Sequence, residues 1–202
     1  MKKYALLLLV TSFSLCLYAQ KSKYFDVNHQ EISKATFDEK RATNAVLDIP
    51  GDSLHHHLLI SREEKGKIND RTQLLSILER ALNRKIDTVK PIVIIYYPGE
   101  DACNSTSNPQ LMIAANNTLK KDLYKQVKTA PLYVYKTATG IDKFGKAINW
   151  IKDPEQIVEK HFFKHHYPCG SFVVISKSGD YISYFGEYSN SYLIQIAKKL
   201  SE

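Results

Sequence analysis

"SFVVISKSGDYISYFGEYSNSYLIQIAKKL" (Ser171–Leu200) packs three elements into one short reach of chain. "SFVVIS" and "YISYFG" are β-branched and aromatic runs on either side of "KSGD", where Gly179 supplies the turn of a hairpin. Behind them Leu193, Ile196, Ala197 and Leu200 recur at helical spacing, so an amphipathic helix closes the chain.

Working outward, "PIVIIYY" (Pro91–Tyr97) is apolar at every position, which predicts a central parallel strand buried on both faces. Before it, "NDRTQLLSILERALNRK" offers Asn69 or Asp70 as a cap, with Leu74, Leu75, Leu78, Ala81 and Leu82 on one helical face. After it, "NPQLMIAANNTLKKDLYKQV" reads as a helix and "PLYVYK" (Pro131–Lys136) as a strand. "DPEQIVEKHFFKHH" reads as a helix, with Asp153 as cap, Pro154 in the first turn and Gln156 three residues past the cap. The half upstream of Lys67 is sparser in large apolar residues. "KYFDVNHQEIS" reads as strand, turn and strand. Ser33 caps a short helix, "KATFDEKRA", anchored by Phe37, and "AVLDIPGDSLHHHLLIS" forms a hairpin around "PGDS". This half cannot build a core alone and is expected to pack on the half downstream of Lys67.

The order helix, strand, helix, strand, helix, hairpin, helix from about Asn69 onward resembles the thioredoxin fold. "SFVVISKSGDYISYFGEYSNSYLIQIAKKL" is similar to the closing module of that family, and "PIVIIYYPGEDAC" resembles the strand that leads into its active-site helix. The fold class expected is therefore α/β, thioredoxin-like, with a central mixed sheet flanked by helices. A thioredoxin-like domain (68–202) follows an N-terminal extension (20–67). The resemblance places Cys103 where the first active-site cysteine stands. Departures are equally plain. The resolving cysteine of a Cys-x-x-Cys pair is replaced by Thr106, the aromatic residue before the first cysteine by Ala102, and the proline that faces the cysteine by Ser171, with Pro168 three residues earlier. In the thioredoxin-like arrangement "YPCGS" faces the helix that begins at Cys103, so Cys169 is the candidate partner, either as a resolving thiol or as half of a structural bridge.

The first nineteen residues set the compartment. Lys2 and Lys3, an apolar run from Ala5 to Val10 and "LYA" before Gln20 read as a secretory signal cleaved after Ala19. A membrane span needs about 20 continuous apolar residues, and Thr11, Ser12 and Ser14 interrupt this one. Lipid attachment at Cys16 is the rival reading; it ordinarily wants a small residue just before the cysteine, where Leu15 stands. The chain is thus expected to be periplasmic or secreted, with no membrane span in its mature part and with Cys103 and Cys169 in a compartment where disulfides persist.

Of the 28 basic residues, 26 remain once Lys2 and Lys3 are removed, against 21 acidic, a formal charge of +5. That surplus is spread along the chain, and no nucleic-acid-binding module accompanies it. With 44% hydrophobic and 24% charged residues the composition is that of an ordinary globular domain. Phosphate-binding glycine loops and zinc-protease patterns are absent. No cofactor is expected. Ser105 and Thr106 have no base beside them in sequence, and the sequons at Asn104 and Asn116 match only a very short pattern.

Two chemistries compete at Cys103. A thiol at a helix N-terminus favours its thiolate, while Glu100 and Asp101 oppose it. His161, His165 and His166, just ahead of Cys169, raise a Cys/His metal site, though they also suit the wet side of a helix; no metal ligand set is assigned. "HHH" (His55–His57) reads as a strand carrying imidazoles on its outward face. The sequence thus points to thiol–disulfide chemistry at Cys103 with Cys169 as partner, acting on other envelope proteins or their thiols. The alternative is a redox-inactive thioredoxin-like module that binds another envelope protein.

Overall fold

The computed structural model describes residues 22–51, 56–105 and 108–202. The expected leader with Cys16 lies outside them, as do His55, Thr106 and part of the "PGDS" turn. In chain order the elements are β1 (Lys23–Phe25), β2 (Glu31–Ile32), α1 (Lys34–Ala42), β3 (Val46–Pro50), β4 (His56–Ser61), β5 (Glu63–Lys67), α2 (Arg71–Leu82) and β6 (Ile92–Tyr97). Beyond these come α3 (Pro109–Val127), β7 (Leu132–Tyr135), β8 (Trp150–Lys152), α4 (Ile157–Phe162), β9 (Ser171–Ile175), β10 (Asp180–Tyr184) and α5 (Asn190–Lys199).

The larger sheet has the order β5-β10-β9-β6-β7-β8. β6 lies inside it with all six residues buried, parallel to β7 and antiparallel to β9. The apolar run therefore encodes burial of both faces and says nothing about the direction of its neighbours, which is mixed rather than parallel throughout. Alternation along β6 splits the core into two layers. Ile92, Ile94 and Tyr96 join Leu74 and Leu78 of α2 and Val158 and Phe162 of α4 on one face. Val93 and Ile95 join Leu119 and Leu123 of α3 and Leu193 and Ala197 of α5 on the other.

Local signals set most boundaries. Asp70, rather than Asn69, caps α2 by accepting from Gln73 N–H at 2.8 Å. Asn108 caps α3 by accepting from Gln110 and Leu111 N–H, with Pro109 in the first turn. Ser189 does the same for α5 with Tyr192 N–H. Ser189→Ala should cost about 1 kcal/mol in urea denaturation, and Ser189→Asp should recover most of it.

α4 differs from expectation. Glu155 and Gln156 sit at φ of 55° and 56°, so the regular helix starts only at Ile157 and ends at Phe162. Asp153 still serves it, with both carboxylate oxygens accepting, from Val158 and Glu159 N–H at 3.1 and 2.8 Å. Phe162 and Phe163 are both within the core. Phe163 stacks on Tyr96, ring centroids 4.6 Å apart.

The smaller sheet, β2-β1-β4-β3, carries α1 through Phe37. It docks on the larger unit through Leu47 and Ile60, and β5 continues from it to pair antiparallel with β10 as an edge strand. His57, its side chain 40% exposed, stacks on Tyr24 at 5.1 Å and lies 3.3 Å from Asp48 Oδ1. β4 is paired on both sides, with β1 and β3, so its ring has neighbours to rest on. Among the described residues no helix is long and apolar enough to cross a membrane.

Candidate functional site

β6 ends at Tyr97, and "PGEDACNS" turns away from the sheet before α3 begins. Cys103 is in this turn, upstream of the helix that starts at Pro109, so it is not the helix N-terminal thiol expected from the sequence. Its environment is made by side chains instead. Cys169 stands in the loop before β9, and the two cysteines form a disulfide, Cα atoms 5.1 Å apart across a separation of 66 residues. Cys103 is exposed and Cys169 half-buried.

Asp101 and Asn104 hold both ends of this bridge by their backbones. Asp101 Oδ1 accepts from Cys103 N–H at 2.9 Å and from Asn104 N–H at 3.0 Å, while Oδ2 accepts from Cys169 N–H at 2.9 Å. Asn104, 8% exposed, donates through Nδ2 to Gly99 O and to Cys169 O, both at 3.0 Å. Its Oδ1 accepts from Asp101 N–H at 3.1 Å. Cys169 is thereby gripped at its N–H and its carbonyl, and is held at φ 68°, a region that β-carbon sterics make costly. The carboxylate read as an opponent of the Cys103 thiolate thus spends its lone pairs on three N–H groups. Glu100 faces the Lys143 ammonium at 3.5 Å, and Lys143 also donates to Asn104 O at 2.9 Å.

Further contacts lock the turn. Tyr97 O–H donates to Thr139 O at 3.1 Å; burial, then the charges of Glu100, Asp101 and Asp142, push its phenol up to about 12. Gly99 sits at φ 124°, and a Cβ there would run into Thr137 Oγ1. Gly99→Ala should cost about 1–3 kcal/mol, read from the urea midpoint, because it combines that clash with a strained backbone and shifts the carbonyl that Asn104 uses.

Ser171, which stands where the family resemblance would put a proline, is buried at the start of β9 and accepts from Gly186 N–H at 3.1 Å. That bond brings the β10–α5 junction beside Cys169. Glu187, the next residue, has a carboxylate oxygen within 4.8 Å of both sulfurs. Arg62 steadies the junction by donating to Glu187 O at 3.4 Å. The disulfide borders a cleft of ≈ 300 Å³ whose apolar wall includes Ile95, Met112, Leu119, Phe144, Trp150 and Tyr188.

The histidines do not gather at the sulfurs. His161 Nδ1 is 2.9 Å from Ile157 O, His165 lies edge-on to Tyr167, and His166 Nε2 is 3.5 Å from Asp101 Oδ2. Sequence reasoning brought Cys103 and Cys169 together and missed Asn104, Glu187, Lys143 and Trp150. "DACN" did hold one local signal: Asp followed by Asn three residues on suits a side-chain-capped turn. No family model matches the chain, and no curated protein matches it.

Proposed function

We propose that this chain is an exported, thioredoxin-like protein that exchanges disulfides with other envelope proteins through the Cys103–Cys169 couple. The central strands support the fold assignment: in the order β10-β9-β6-β7, with β6 parallel to β7 and antiparallel to β9, they make the mixed sheet the resemblance implies. α3 and α5 on one face and α2 and α4 on the other fit it too. The observation that carries the reading is an exposed Cys103 joined to a half-buried Cys169 at the mouth of an apolar cleft. The resolving thiol comes from the loop before β9 instead of from the same turn.

In the oxidising direction, a substrate thiolate attacks Cys103 Sγ and the bond to Cys169 breaks. Cys169 leaves as a thiolate and takes up a proton. A second substrate thiolate then attacks the mixed disulfide, the substrate departs oxidised by two electrons, and Cys103 is left reduced. The reverse sequence reduces a substrate. An apolar side chain next to the substrate cysteine fits the cleft wall.

Redox equilibration against dithiothreitol and glutathione tests this. A couple that exchanges should sit above about −300 mV. A potential below that, with no mixed disulfide trapped by Cys169→Ser, would make the bond a permanent staple. The grip of Asp101 and Asn104 is the feature that favours this second reading, a redox-inactive module that binds an envelope partner.

A further inference from the structure

Three side chains converge at the cleft mouth from three separate segments: Cys103 from the turn after β6, Cys169 from the loop before β9, and Glu187 from the β10–α5 junction. One ligand atom from each lies within 4.8 Å of the others. We propose that, once the disulfide is reduced, Cys103, Cys169 and Glu187 bind a thiophilic divalent cation of the Zn²⁺ type, so that the same residues form a bond when oxidised and a metal site when reduced. This rests on the bond being reducible, as the proposed function requires.

The placement of these residues does not rest on the sulfur–sulfur bond alone. Asp101 holds the N–H of both cysteines, and Asn104 holds the carbonyl of Cys169. Glu187 is set by Gly186 N–H on Ser171 Oγ and by Arg62 on its own carbonyl. Cutting the bridge therefore leaves two thiols and a carboxylate facing one another, with their backbones still pinned. Such preorganisation is what a metal site needs, since a ligand set that must first be gathered loses affinity to that ordering.

The donor set selects the ion. Two thiolates and one carboxylate suit a tetrahedral Zn²⁺-like cation with the fourth position open toward the cleft, for water or a substrate atom. Thiolates disfavour Mg²⁺ and Ca²⁺, which take oxygen ligands at higher coordination number. The chemistry balances simply. A dithiol reductant gives two electrons and two protons to the disulfide and becomes a disulfide itself. Each cysteine thiol then loses its proton to solvent as the cation binds, and the cation keeps its charge and oxidation state.

The test uses the full chain. It is reduced with a phosphine, which takes up the oxygen of one water as both sulfurs become thiols, and is then desalted without metal or oxygen. Thiols are counted before and after, and both forms are titrated with Zn²⁺ against a chromophoric chelator. The expected result is a rise of two thiols, one Zn²⁺ bound per chain in the reduced form only, and protection of both thiols from alkylation. Zinc held by surface histidines would appear equally in the oxidised form, which is the internal control. Glu187→Gln, a change at an exposed residue, should keep the two thiols and weaken binding by about tenfold or more. No rise in thiols would overturn both this site and the proposed exchange chemistry. Two new thiols with no added Zn²⁺ binding, or binding unchanged in Glu187→Gln, would overturn the metal site alone.

Discussion

Reducing the Cys103–Cys169 bond, or replacing Cys103 with serine, should lower the stability of the folded chain by about 4 kcal/mol. The bond closes a loop over a separation of 66 residues, and opening it returns to the unfolded chain the freedom that the loop removed. Urea denaturation of the oxidised protein, the reduced protein and Cys103→Ser measures the effect. The last two should agree with each other, since both lack the same constraint and both keep the hydrogen bonds of Asp101 and Asn104. A loss below about 1 kcal/mol would mean that the unfolded chain already keeps the two segments together.

Asp101→Ala should cost about 3 kcal/mol and make the disulfide easier to reduce. Hydrogen bonds to a charged acceptor contribute about 1.5–3 kcal/mol each, and this carboxylate, 14% exposed, accepts from the N–H groups of Cys103, Asn104 and Cys169. The three bonds share one side chain, so their losses do not simply add. Asp101→Asn discriminates within the grip. Its Oδ1 can still accept from Cys103 and Asn104, but an amide N–H₂ would face the Cys169 N–H, donor against donor, so about half the loss should remain. The redox effect comes from geometry. Without the carboxylate the two thiols of the reduced protein meet less often, and each tenfold fall in their effective concentration raises the reduction potential by about 30 mV. An unchanged potential in Asp101→Ala would show that Asn104 and the surrounding packing hold the cysteines together by themselves.

These two effects couple through Cys169. Its N–H belongs to Asp101, its carbonyl to Asn104 and its sulfur to Cys103, while its backbone is held at φ 68°. A double-mutant cycle over Asp101→Ala and Cys103→Ser should therefore return a non-zero interaction energy, because each change relaxes the loop that the other constrains.

The sequence by itself determined the elements whose signals are local. The hairpin around Gly179 and the apolar face of α5 were both legible, since each is written in residues a few positions apart. The interior place of β6 was legible too, because only a strand covered on both faces tolerates "IVIIYY" without a polar residue. The edge strand β8 was not, as its three residues carry no period, and neither was the shortened α4, which begins only after Glu155 and Gln156 at positive φ. At the site, sequence could pair Cys103 with Cys169 only by resemblance; it mistook the setting of Cys103 and did not show that Asp101 holds three N–H groups. Which backbone N–H groups a carboxylate two residues from a thiol can hold depends on what the tertiary fold brings to it. Here one of the three comes from Cys169, far along the chain. Glu187 shows the same rule: nothing near it in sequence marks it, and it reaches the sulfurs only because Ser171 and Gly186 meet where β9 begins and β10 ends.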